Sequence, residues 1–155
     1  MIEYYSNCEE ETNLIAKKVA DKIKPGNIIF MNGELGVGKT TLTKYIVRQL
    51  GSKDLVSSPT FSIVNHYQAP LKIATTPLPQ SDLKLLLNIF HFDAYRISSQ
   101  SDLESIGFFD YINEENILII EWAENIKNLI NITASMEIII RYIDENSRRI
   151  SIISN

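Results

Sequence analysis

Residues Gly33 to Thr40 read Gly-Glu-Leu-Gly-Val-Gly-Lys-Thr and satisfy every specified position of the Gly-x-x-x-x-Gly-Lys-Ser/Thr pattern. Such a loop requires a strand that delivers its first glycine and a helix that opens at its lysine. Both flanks have that character. Asn27 to Asn32 (Asn-Ile-Ile-Phe-Met-Asn) is a short apolar run expected to be a strand buried on both faces. From about Lys39 to Leu50 the chain places Leu42, Ile46 and Leu50 on one helical face, and Gly51 is positioned to end the helix in a left-handed turn. Glycine is scarce, six residues in 155, yet three of them (Gly33, Gly36 and Gly38) fall in this loop.

The pattern implies binding of a nucleotide phosphate. Successive amides through Gly33, Gly36, Val37 and Gly38, continued by the helix start at Lys39, Thr40 and Thr41, supply donors and positive potential without side-chain bulk. Lys39 is expected to reach the β- and γ-phosphates as a compact cation, and Thr40 to place its hydroxyl on Mg2+. Magnesium needs further oxygen ligands, and a carboxylate at the end of an apolar strand is the usual second element. Two residues qualify. Asp93 follows Ile-Phe-His-Phe and Glu121 follows Ile-Leu-Ile-Ile, and spacing alone leaves open which touches metal and which orients an attacking water. Thr60, in Ser-Ser-Pro-Thr-Phe, stands where nucleotide switches carry a γ-phosphate sensor. His91, alternating with Phe90 and Phe92, reads as a core histidine rather than a catalyst, and Trp122 fits a pocket wall and a core position equally.

Elsewhere, Ser6 and Glu9 make a capping box for a first helix with Leu14, Ile15, Val19 and Ile23 on its buried face, stopped by Lys24-Pro25-Gly26. Phe61 to Tyr67 reads as a strand. Three prolines between Gln68 and Gln80 mark an irregular insertion, with a helical turn expected over Ser81 to Leu87. Ser101-Asp-Leu-Glu104 reads as a second capping box, and Trp122 to Ile130 as a helix. Met136 to Ile143 and Arg149 to Ile153 form a hairpin turning at Asp144-Glu145-Asn146-Ser147. Alternating strands and helices define an α/β class: a P-loop NTPase fold with a mainly parallel sheet flanked by helices and a C-terminal antiparallel hairpin, in one domain over 1–155 with an inserted loop at about 68–88.

Composition narrows the partners. With 19 acidic against 15 basic residues and a net charge of −4, the chain lacks a global positive field for a nucleic acid backbone, so any RNA role is expected to be indirect. Cys8 is the sole cysteine, which excludes an internal disulfide and a multi-thiolate zinc site and suits a reducing cytoplasm. The first residues lack the pattern of a signal peptide, and no apolar run approaches the ~20 residues of a membrane span.

The ordered set Gly33 to Thr41, Ser58-Pro-Thr-Phe61, His91-Phe-Asp-Ala-Tyr-Arg96 and Glu121-Trp122 closely resembles the TsaE (YjeE) family, bacterial P-loop ATPases of tRNA threonylcarbamoyladenosine synthesis. The resemblance covers roughly Glu3 to Ile153 outside the insertion. It implies ATP and Mg2+ as cofactors, the TsaB–TsaD complex as partner and tRNA only through that complex. It further implies that Lys39 holds phosphate, that Thr40 and Glu121 serve magnesium, that Asp93 is the Walker B acid, and that Thr60 is the sensor. Glu9 and Arg148 are loose counterparts of family residues around the nucleotide. The insertion is longer and richer in proline than the family pattern, and Ala94 replaces a common leucine. Two other readings share the loop: a nucleotide-gated binding module, and a small-molecule kinase, which the lack of an arginine-rich lid disfavours. A GTPase is disfavoured because Asn-Lys-x-Asp is absent.

Overall fold

The computed structural model describes residues 1–71 and 86–155. Its centre is a seven-stranded sheet in the order β1-β7-β6-β2-β5-β4-β3, with β1 at Ile2–Ser6, β2 at Ile28–Asn32, β3 at Val64–Pro70, β4 at Leu86–Asp93, β5 at Ile117–Glu121, β6 at Met136–Tyr142 and β7 at Arg148–Ser154. The apolar runs become the middle of this sheet. All five residues of β5 and the first four of β2 are buried, as strands covered on both faces must be.

The α/β class and the late hairpin are as the sequence indicates, but the mainly parallel sheet is corrected to a mixed one. Pairings β2/β5, β2/β6 and β4/β5 are parallel, whereas β1/β7, β6/β7 and β3/β4 are antiparallel. The discrepancy comes from the edges. Strand β1 is largely exposed and so carries no hydrophobic signature. Strands β3 and β4 pair from Val64↔Phe92 to Pro70↔Leu86, which takes residues 68–70 and 86–88 out of the expected irregular insertion. Pro70 is tolerated because β3 is an edge strand. Most of the helical turn read at Ser81 to Leu87 lies outside the described residues, but Leu86 and Leu87 belong to β4.

Helices α1 (Glu9–Ala20) and α2 (Lys39–Gln49) pack together on one face of the sheet. Leu42, Ile46 and Val47 of α2 meet Ile15, Ala16 and Val19 of α1 over Ile29, Met31 and Ile119. The phase of α1 differs from the expectation. Leu14 is exposed, because Leu14 and Ile15 are ~100° apart on a helix and Ile15 takes the inward position. Its N-cap is Cys8, not Ser6: Ser6 ends β1, and Glu11 rather than Glu9 reaches back to accept from the Asn7 amide at 2.7 Å. The opposite face is covered by α3 (Gln100–Ser105) and 3-10 turns, with Phe30, Phe92, Leu103 and Phe108 in its core. The capping box of α3 is Ser99 with Asp102, two residues before the one expected. Trp122 to Ile130 is not a helix but a 3-10 turn over Ala123–Asn125 followed by further turns, since Trp122 has a left-handed φ of 58°.

Gly33, the residue after β2, lies against the backbone of β6. Its φ is 147°, and a Cβ there would overlap the Ile140 carbonyl oxygen. Gly33→Ala is therefore expected to destabilise the fold by about 2–4 kcal/mol, combining an unfavourable φ with a clash against fixed backbone. Urea unfolding monitored by circular dichroism will measure it, and a midpoint equal to wild type would contradict the close approach.

Candidate functional site

The parallel strands bring their carboxyl ends to one level. Asp93 is in register with Glu121, and Glu121 with Met31, so two carboxylates and the exit of β2 stand side by side. Ligands of open α/β sheets bind beyond such ends. The glycine loop leaves from there and closes on α2, whose N-cap is Gly38 at φ 110°, with no side-chain cap and no acidic residue in the first turn. The helix thus sets no acidic side chain of its own over its first-turn amides.

The β6/β7 hairpin holds the loop from behind. The Tyr142 hydroxyl donates to the Leu35 carbonyl at 3.2 Å, and Arg148 Nε donates to the Val37 carbonyl at 3.2 Å. Nη1 of Arg148 donates to the carbonyls of Asp144, Glu145 and Ser147, and the guanidinium lies 4.3 Å from the Tyr142 ring centre. Across a trans peptide the N–H points opposite to the C=O, so tethering these two carbonyls turns the Gly36 and Gly38 amides away from the hairpin. Tyr142 had no signal in the sequence, because its role depends on a contact across more than a hundred residues.

Lys39 is buried, 5% exposed. Its ammonium donates to the carbonyls of Gly33 at 2.7 Å and Glu34 at 2.9 Å and sits 3.7 Å over the Trp122 ring. The left-handed Trp122 backbone swings that ring over the lysine, so Trp122 is a wall of the site. Thr40 Oγ1 is 2.9 and 3.1 Å from the two Glu121 carboxylate oxygens. Asp93 accepts from the Thr60 hydroxyl at 2.6 Å through Oδ2 and from the Tyr95 amide at 3.0 Å through Oδ1. Thr60 is held in turn by Ser58 at 2.7 Å, and Ile63, at φ 65°, closes the segment through its carbonyl on the Asp93 amide.

Two clefts flank the loop. One, of about 190 Å³, is lined by Gly36, Gly38, Lys39, Thr40, Thr41, Thr60, Asp93, Glu121 and Trp122. The other, of about 330 Å³, shares Gly36, Gly38 and Thr41 and extends over Val37 to Asn7, Glu9, Asn146 and Arg148. Gly33 lines neither, but its carbonyl anchors Lys39. Among the described residues no group of three or more His, Cys, Asp or Glu side chains forms a metal cage. The Thr40 hydroxyl and Glu121 carboxylate instead suit Mg2+, which takes one or two hard protein oxygens and completes its shell with phosphate and water.

This is an α/β protein whose polar chemistry is gathered on a glycine loop and two strand-end carboxylates. A model of the family described as threonylcarbamoyl adenosine biosynthesis protein TsaE matches residues 6–150. The tRNA threonylcarbamoyladenosine biosynthesis protein TsaE of Rickettsia felis is 34% identical over 150 residues, covering 96% of this chain and 78% of its own. The TsaE of Bacillus subtilis is 32% identical over 142 residues, covering 92% and 78%. The crystal structure of Bacillus subtilis YdiB superposes with a TM-score of 0.70 at 25% identity, covering 99% of this chain and 84% of that one. The chain belongs to the TsaE family, as its motifs indicated.

Burial is the main cause that lowers the Lys39 pKa from 10.5, opposed by the charges of Glu121, Glu124 and Asp93. Just below pH 10.5 the unfolded chain therefore holds more protons at this residue than the folded one, so its contribution to stability rises with pH there and is least favourable at neutral pH. The difference in unfolding free energy between wild type and Lys39→Met is expected to move in favour of wild type as pH rises through that interval. Denaturation curves at stepped pH will measure it, and a flat difference would contradict the burial of the charge.

Proposed function

We propose that the chain is a P-loop ATPase that binds ATP with Mg2+ and acts with the TsaB–TsaD complex in threonylcarbamoyladenosine modification of tRNA. The observation that carries this reading is the convergence of Lys39, Thr40, Thr60, Asp93 and Glu121 on one cleft at the mouth of the glycine loop. The amides of Gly36, Val37 and Gly38 and the α2 N-terminus receive the phosphates, and Lys39 exchanges its loop carbonyls for β- and γ-oxygens. Thr40 and Glu121 would hold Mg2+, which would supply neutralising charge beside the phosphates. Asp93 orients the attacking water, and its bond to Thr60 links that water to the Ser58–Phe61 segment.

The larger cleft, with Glu9, Asn146 and Arg148 on its walls, receives the nucleoside. Preference for adenine rests on family membership rather than on a geometric reader. No described residue lining the phosphate cleft is an arginine, so the only fixed cation there is Lys39. An arginine supplied by a partner accelerates such sites roughly 10³–10⁵-fold, which fits slow turnover alone and activation by TsaB–TsaD. The net charge of −4 leaves tRNA contact to the partners. Among the described residues no helix is long and apolar enough to cross a membrane, in keeping with work in the cytoplasm.

ATP hydrolysis with and without purified TsaB–TsaD is the deciding measurement. Turnover should rise on adding the complex and vanish in Lys39→Ala, while Glu121→Gln should bind ATP yet lose at least tenfold in rate and fail to support repeated modification. Background turnover in both conditions, together with a Lys39→Ala chain that still supports modification, would sink the proposal. Full modification by Glu121→Gln without turnover would leave a nucleotide-gated binding module instead.

A further inference from the structure

His91 is a buried titratable side chain that this scheme leaves unused. It sits in β4 with no exposed surface, on the sheet face that carries Ile89 and Ile119 against α2. Its register partner in β5 is Ile119, and Glu121 lies two residues further on the same face. Nε2 of His91 is 2.7 Å from Glu121 Oε1. An ionised carboxylate only accepts, so Nε2 carries the proton of that bond. Nδ1 is buried and has no hydrogen-bond partner among the described residues.

A half-satisfied imidazole is a poor core residue. Leaving a polar nitrogen unpaired in an apolar interior costs stability that an isoleucine or phenylalanine would not. What the histidine does achieve concerns Glu121. The terminal torsion of a glutamate is broad, so an untethered carboxylate turns easily about its last bond. Here Oε1 is fixed by His91 while Thr40 spans both oxygens, which sets the plane of the carboxylate and leaves Oε2 without a second donor among the described residues.

We propose that His91 is a positioning residue that locks the Glu121 carboxylate in the orientation in which Oε2 and the Thr40 hydroxyl meet a divalent cation bound with the nucleotide. This rests on the ATP–magnesium reading above and assigns His91 no contact with nucleotide or metal. Partners in this outer position commonly contribute 10–100-fold to metal affinity.

The test uses Mn2+ as the paramagnetic substitute for Mg2+, titrated into the chain saturated with an imido-bridged, non-hydrolysable ATP analogue and followed by electron paramagnetic resonance. His91→Phe fills the ring volume without a donor, and His91→Gln restores an N–H near the position of Nε2. The expected result is a 10–100-fold weaker Mn2+ Kd in His91→Phe, an affinity for the analogue in EDTA within about twofold of wild type, and recovery of most of the loss in His91→Gln. Wild-type Mn2+ affinity in His91→Phe overturns the proposal, as does a parallel fall in metal-free nucleotide affinity or a His91→Gln variant no better than His91→Phe. Should His91→Phe not fold, nitrogen NMR of the wild-type imidazole decides. A proton on Nε2 whose resonance moves when Mg2+ joins the loaded protein supports the role, and a proton on Nδ1 alone, or an Nε2 signal indifferent to Mg2+, refutes it. Failure of wild type to bind analogue and Mn2+ at all would instead fall on the ATP–magnesium reading.

Discussion

The structure depends on the parallel, in-register pairing of three buried strands, β2, β5 and β4. A slip of one residue would send each side chain to the other face of the sheet and take Asp93, His91 and Glu121 away from Thr60 and Thr40. The match of Asp93 with Glu121 and of Glu121 with Met31 therefore decides more than packing. It brings two carboxylates and the start of the glycine loop to one ledge. The apolar runs that hold this register are also why the acids are buried, Asp93 at 6% and Glu121 at 3% exposure.

Charge gathered in so dry a place needs partners, and the site is organised around that need. Asp93 is held by Thr60 and the Tyr95 amide, Glu121 by Thr40 and His91, and Lys39 by two loop carbonyls and the face of Trp122. Buried ionised groups left unpaired are strongly destabilising, so each of these side chains is held by protein groups rather than by solvent. Two left-handed residues, Ile63 and Trp122, lie within this network. Such conformations in bulky residues cost of order 1–3 kcal/mol and persist where the surroundings over-determine them. Both lie beside the carboxylates, where the chain bends sharply to bring Thr60 and the Trp122 ring over the cleft.

Much of the site was legible in the sequence because its chemistry is written in short stretches. The glycine spacing, Lys39 and Thr40 lie within one local motif, and Asp93 and Glu121 each end a run too apolar to be anything but a central strand. Family membership supplied their order. Less of the framework was legible. Strand β1 is short, at the sheet edge and mostly exposed, so no alternation betrays it. The helix read after Trp122 failed because local propensity cannot register that Trp122 must turn left-handed to follow Met31 and cover Lys39. The capping box read at Ser6 does not form, since Cys8 is the N-cap of α1 and makes no side-chain cap bond, and the second box lies two residues earlier than read, because neighbouring Ser, Asp and Glu residues offer equivalent spacings and only the folded backbone chooses among them.

By itself the sequence determined that an apolar strand, a phosphate-type loop and an amphipathic helix follow one another, and that two acidic residues end two other buried strands. These are properties of contiguous residues, for which spacing and hydrophobic period suffice. Only the tertiary structure decided that the sheet is mixed, that Glu121 rather than Asp93 faces Thr40, that Tyr142 and Arg148 hold the loop from behind, and that His91 touches a carboxylate instead of the core alone. Each of these is set by which strand ends lie side by side, a long-range pairing that burial across the whole sheet selects and that no local stretch encodes.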